Sequence, residues 1–188
     1  YPYATVLPYV PDERHRPVFL ISALAEHTKN LIADARASFV VYAHTQASVL
    51  AGARMTLLGE AHRIEANDQL RARYVRYQPD AEQYLALNDF AFFRFAPLRL
   101  RAIAGFGAMG WIDAETFDQA ASLMPQQELD LLDRFPAAAG APRLLGVDPY
   151  GLDLMHGGRR ERRAFLDVFA CSHGQSAGQA GIHCNRTR

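Results

Sequence analysis

Lysine is almost missing from this chain. Lys29 is the only one in 188 residues, and every other formal cation is arginine. Net charge is missing too: 20 basic residues balance 20 acidic ones. The basic excess of a dedicated nucleic-acid binder is therefore lacking, and no nucleic-acid partner is expected. Cysteine is scarce, with only Cys171 and Cys184 near the C-terminus. Two thiols make no disulfide framework, and a reducing cytoplasm is the expected compartment. No run approaches the roughly 20 apolar residues of a membrane span, and no signal peptide is visible. The chain opens at Tyr1 without Met, so residues upstream are expected. Metal-ligand spacing is absent as well: His15, His44, His62 and His156 show no such spacing with one another or with acids, and no metal is expected. Gly105, Gly107 and Gly110 lack the spacing of a dinucleotide loop. No nucleophile triad or catalytic carboxylate pair emerges, so no catalytic residue is assigned.

What remains is 49% hydrophobic, enough for one globular domain or a domain with a small appendage. Tyr1–Val10 alternates as a strand limited by Pro2 and Pro8, and Val18–Ser22 returns as its hairpin partner. A short helix is predicted over Asn30–Ala37, a third strand over Ala37–Ala43, and a fourth over Ala53–Ile64 with Gly59 as a bulge. Helical spacing over Gln69–Tyr77 and Ala81–Leu87 precedes a strand at Phe90–Phe95 that Pro97 ends. Leu98–Ala104 alternates as another strand. Its Arg99 and Arg101 read as a solvated face, or as cations at a cavity mouth meeting an anion. Gly105–Trp111 carries Phe106 and Trp111, which read as core or as flavin-stacking rings. Residues 1–112 thus suggest about six short strands in a small, mostly antiparallel barrel. Residues 113–170 read as a small α+β domain. Ala114–Phe135 is helical with a break at Pro125, its apolar side being Phe117, Ala121, Leu129, Leu132 and Phe135. Two strands flank Pro149–Gly151, and a third is predicted over Ala164–Phe169. Residues 171–188 are rich in Gly, Ser and Gln, and a flexible tail is expected.

One stretch gathers the polar chemistry. The strand Val18–Ser22 breaks into Glu26, His27, Thr28, Lys29 and Asn30 where a helix begins. Hydroxyl and amide donors, a cation and a helix N-terminus together suit a phosphate. The same residues suit a plain helix cap, with Thr28 as N-cap and its neighbours solvated. The residues alone leave both readings open.

Six pieces in order then carry a family pattern: Pro2–Thr5, Phe19–Leu31, Asp34–Ser38, Ala53–Gly59, Asp89–Phe90 and Gly105–Trp111. Together they resemble the pyridoxamine 5′-phosphate oxidase-like FMN-binding split barrels, and within them the HugZ-type haem-utilisation branch. The resemblance spans residues 1–112. Val147–Leu154 is similar to the small α+β domain that often follows such a barrel. The implied fold is mainly β with α: a six-stranded antiparallel Greek-key split β-barrel plus a small C-terminal α+β domain. The resemblance implies a homodimer with FMN at its seam. It places the FMN phosphate near His27, Thr28, Lys29 and Asn30, with Thr5 and Ser22 along the ribityl chain and ring. Arg54 would reach phosphate or flavin, and Trp111 could stack on the ring. The implied function is an FMN-binding flavoprotein, an oxidoreductase acting on an unidentified small molecule. One alternative is a haem-binding or haem-degrading protein on the same barrel. Another is a non-catalytic binding or regulatory barrel. In HugZ-type proteins a C-terminal histidine can ligate haem iron; His173 and His183 lie in the tail, and neither aligns with it. The oxidase's C-terminal substrate motif is not found, so pyridoxamine phosphate is not implied as substrate.

Overall fold

The computed structural model describes residues 1–42, 52–105, 108–135 and 140–165. The elements run β1 (Val10–Pro11), β2 (Pro17–Ser22), α1 (Glu26–Ala33), β3 (Arg36–Tyr42), β4 (Arg54–Ile64), α2 (Asp68–Tyr77) and α3 (Ala81–Leu85). They continue as β5 (Phe90–Gly105), β6 (Ala108–Asp113), α4 (Ala114–Asp118), α5 (Pro125–Asp133), β7 (Arg143–Asp148), β8 (Gly151–His156) and β9 (Arg159–Ala164). Six strands form one antiparallel sheet in the order β1-β2-β5-β4-β3, with β6 joined to β5. Strands β7, β8 and β9 form a second, three-stranded sheet. The mainly β architecture with a six-stranded antiparallel sheet is the one expected.

Strand β5 is the spine of the large sheet. It is 16 residues long, pairs with β4 along its length, and meets β2 at its start and β6 at its end. The expected break at Pro97 does not occur. The register shifts between Leu58 and Gly59, so Leu58 faces Arg99 and Gly59 faces Pro97, leaving Leu98 unpaired. A bulge is where a strand tolerates proline. Glycine is required opposite it, because a β-carbon at Gly59 would overlap the Ala96 carbonyl oxygen. The bulge also resets the alternation, exposing Leu98 while burying Leu100.

Other boundaries differ from the sequence reading for local reasons. Strand β1 keeps only Val10–Pro11, since Pro2 and Pro8 deprive the preceding arm of ladder donors. Helix α1 starts at Glu26 rather than Asn30 and stops before Asp34. The Asp34 carboxylate accepts the Arg36 N–H at 3.1 Å and turns the chain into β3. Ala114–Phe135 holds two short helices, and the buried residue of α5 is Glu128 rather than a leucine. Phe135 is exposed. The third strand of the small sheet is Arg159–Ala164, not Ala164–Phe169. Gly157 and Gly158, at φ 56° and 76°, make the tight hairpin that pairs His156 with Arg159. Residues 166–169, the tail with His173 and His183, His44 and Phe106 lie outside the described residues.

Two apolar clusters hold the molecule. One lies on the buried face of the large sheet, with Phe19, Ile21, Leu57, Ala61, Phe93, Phe95 and Leu100 at its centre. Leu7 and Tyr9 of the N-terminal arm pack on it. Fully burying a side chain of this size contributes about 1.5–3 kcal/mol. The other lies under α2 and α3 and joins Val10, Val18, Tyr74, Tyr77 and Phe92 to Leu145 of β7.

Candidate functional site

The corner after β2 is built by short hydrogen bonds. Ser22 Oγ donates to the Asp89 carboxylate at 2.7 Å and accepts the Leu24 N–H at 3.1 Å. Ala23 N–H donates to Asp89 O at 2.6 Å. Helix α1 then starts with Ala25 as its N-cap, and no side chain caps it. Thr28 therefore does not cap the helix. It sits inside the first turn, its N–H bonded to Ala25 O at 3.1 Å. Thr28 is only 2% exposed, and its hydroxyl has no hydrogen-bond partner among the described residues. A buried hydroxyl normally has one. Lys29 is exposed and lies 3.9 Å from Glu26, a surface pair of small energetic weight. His27 is half-buried, and burial lowers its pKa. Asn30 is exposed.

A second patch lies on the outer face of the large sheet. Antiparallel register sets residues side by side in rows across β3, β4, β5 and β6. One row is Tyr42, Arg54, Ile103 and Met109; the next is Val40, Thr56, Arg101 and Trp111; the third is Ser38, Leu58, Arg99 and Asp113. Tyr42 is 59% exposed, Val40 58%, Met109 58% and Trp111 48%. Trp111 is thus no core residue. The Arg99 and Arg101 guanidiniums lie over its ring, at 4.4 and 5.4 Å from the centroid. This is cation–π geometry. The face is apolar and lined with cations, a pattern that suits a flat apolar ligand with anionic arms or another protein surface.

The two patches are not joined within one chain. Ser22 pairs with Phe90 at the start of β5, whereas Arg54 pairs with Ile103 near its end. A family model described as CREG, beta-barrel, matches residues 1–119. The chain belongs to this family. Its barrel has the fold that the sequence resemblance implied, that of the pyridoxamine 5′-phosphate oxidase-like split barrels. Among relatives, the chain is 30% identical over 107 residues to "Non-canonical heme oxygenase HOZ, chloroplastic" of Arabidopsis thaliana. That match covers 56% of this chain and 32% of the relative, so the chain spans about a third of that protein's length. The heme binding protein from Mycobacterium smegmatis is 26% identical with a TM-score of 0.58, over 88% of this chain and 78% of that one. A protein of unknown function from Agrobacterium tumefaciens str. C58 is 22% identical and shares the fold, with a TM-score of 0.70 over 89% of this chain and 77% of that one.

Of the residues singled out on the CREG barrel, Ser22, His27, Thr28, Lys29 and Asn30 share the corner. Arg54 and Trp111 share the outer face. Thr5 is exposed in the arm before β1. The sequence reading missed Asp89 as the acceptor that orients Ser22, and missed Val40, Tyr42 and Met109. For Val40 and Tyr42 a partial signal was available: β3 alternates, yet both of its faces carry large apolar residues where one solvated face would be polar. Among the described residues, no group of His, Cys, Asp or Glu could hold a metal ion, and no helix is long and apolar enough to cross a membrane.

Proposed function

We propose that two copies of this chain pair across the outer face of β3–β6 and that the seam between them binds haem. The observation that carries the reading is that face: Val40, Tyr42, Met109 and Trp111 stand exposed beside Arg99 and Arg101. Haem is a flat apolar disc with two carboxylates, so apolar rows would cover the ring and the arginines would pair with the propionates. The Arabidopsis and Mycobacterium relatives, whose names carry haem, support the same ligand. Pairing would also bring the corner of one copy towards the arginines of the other, which a single chain keeps at opposite ends of β5. Bound haem supplies iron redox chemistry; the chain supplies apolar cover, anion pairing and exclusion of water. No described residue is assigned as the iron ligand.

The corner favours a second reading, FMN. The unpartnered Thr28 hydroxyl fits a phosphate acceptor at the first turn of α1, with Lys29 free to swing in and Asn30 beside it. Bound FMN would supply hydride and electron transfer, giving a flavin oxidoreductase. A non-catalytic barrel is the reading left if neither cofactor binds. Absorbance decides among them. Haemin titrated into the protein should give a saturable Soret band that falls at least about tenfold in affinity when Trp111 becomes Ala, the loss of a central interface anchor. A flavin band near about 450 nm in the purified protein, with no Soret response, gives the second reading. A Soret response unchanged in W111A removes the outer face as the haem site.

A further inference from the structure

We infer that the chain carries a second, separate site for a small oxyanion of phosphate size, in the cavity among Arg73 and Arg76 of α2, Arg94 of β5 and the start of α5. The cavity measures about 100 Å³, and Leu70, Pro125 and Leu129 are among the residues that line it. It can hold several waters or one small anion, since a single water needs only about 10–15 Å³ by this measure.

The guanidiniums around it are incompletely satisfied. Among the described residues, three buried side-chain polar atoms lack a hydrogen-bond partner: Thr28 Oγ1, Arg76 Nη2 and Arg94 Nε. The latter two belong to residues lining this one cavity. Arg76 Nη2 lies 3.4 Å from Glu128 and Arg94 Nε 3.0 Å from Asp12, yet neither makes a hydrogen bond there. The nearby carboxylates are already committed. Glu128 takes Arg73 through one oxygen and the Val147 N–H, at 3.2 Å, through the other. Asp12 accepts the N–H groups of Arg14 and Arg16, both at 2.9 Å, and Arg16 Nε at 3.0 Å. Glu13 and Glu65 also line the cavity; Glu65 is exposed, so water screens it more than it screens the half-buried arginines, while Glu13 is half-buried as they are. Burial lowers the Arg76 pKa, with Glu128 offsetting part of the effect. Three half-buried guanidiniums with two unmet donors call for an acceptor-rich guest. Such a guest would tie α2 and β5 to α5. The site is independent of the haem reading.

The test uses the wild-type chain with inorganic phosphate as the probe and chloride at matched ionic strength as the control. Backbone amide shifts should saturate and cluster at residues 70–76, 94 and 125–129. Arg94→Gln should weaken phosphate about tenfold or more, one charge-assisted bond's worth, while Thr28→Ala should leave it unchanged. Should Arg94→Gln fail to fold, the wild-type shift map still decides. No shift beyond that of chloride overturns the site. So does a map confined to residues 22–30, which would put phosphate at the α1 corner instead.

Discussion

Two sides of this molecule treat their unsatisfied groups in opposite ways. Where α2 meets α5 and the small sheet, polarity is buried and answered largely from within the chain, with Arg76 Nη2 the exception. Glu128 is buried and holds Arg73 and Arg76, the Tyr77 hydroxyl donates to Asp153 at 2.6 Å, and Arg162 reaches both Asp153 and Asp148 at 2.9 and 2.7 Å. Gly146 is held to glycine by this packing, since a β-carbon there would overlap the Tyr77 hydroxyl. On the outer face of β3–β6, apolarity is exposed and unanswered, and the cations lie on Trp111. A chain that pairs most of its buried charges on one side and leaves apolar rows open on the other marks those rows as the place for another large molecule. The small sheet behaves as a clasp, the large sheet's outer face as a contact surface.

The largest expected effect breaks the closed side. Glu128→Ala strands two arginines and an N–H, and should cost about 3–5 kcal/mol, the usual result of removing one partner from a buried ion pair. Urea unfolding measures it, and a loss under about 1 kcal/mol would mean the network is decorative. The next effect sharpens the contrast. Val40→Asp together with Met109→Asp should change the stability of the isolated chain by no more than about 0.5 kcal/mol for each exposed site. The same pair should dissociate the proposed dimer at micromolar protein, as read by light scattering, because two charges would face an apolar partner. A dimer that survives both charges moves the seam elsewhere.

The contrast was only partly legible in the sequence. Local pattern sufficed for β2, β4, α2 and the β7–β8 hairpin, where alternation, helical spacing and a Pro-Tyr-Gly turn point the same way. Pattern failed where a partner strand decides. Pro97 reads as a stop until Gly59 is known to lie opposite it, and Leu98 reads as core until the bulge turns it outward. Thr28 reads as a cap because its side chain suits one, but Ala25 takes that place and leaves the hydroxyl without a partner. Glu128 drew no notice in the sequence, because its arginine partners lie more than fifty residues earlier in α2. Tyr77 and Asp153 are 76 residues apart, beyond any periodic signal. For the candidate site, the corner was legible as a cluster of polar residues in one loop. The outer face was not, because alternation separates two faces without saying which one water will see.

A pH dependence is carried by the buried tyrosines. Burial raises the Tyr77 pKa well above its ordinary value of 10.0; Asp153 adds to the rise and Arg73 opposes it. Tyr74 and Tyr9 are also raised, chiefly by burial. An unfolded tyrosine ionises near its ordinary value while the folded one stays protonated. The stability these groups contribute is therefore fully present below about pH 10 and is lost as pH rises above it. Tyr77→Phe should lower the unfolding free energy at pH 8, read from urea unfolding, by the worth of one hydrogen bond to a charged group, about 1.5–3 kcal/mol. It should also flatten the decline between pH 9 and 11, because one of the three shifted groups is gone. Val40→Asp, on the open face, should keep the wild-type slope. If Tyr77→Phe leaves that slope untouched, Tyr77 is reached by water in solution, and the clasp between α2 and β8 is looser than its 2.6 Å bond to Asp153 implies.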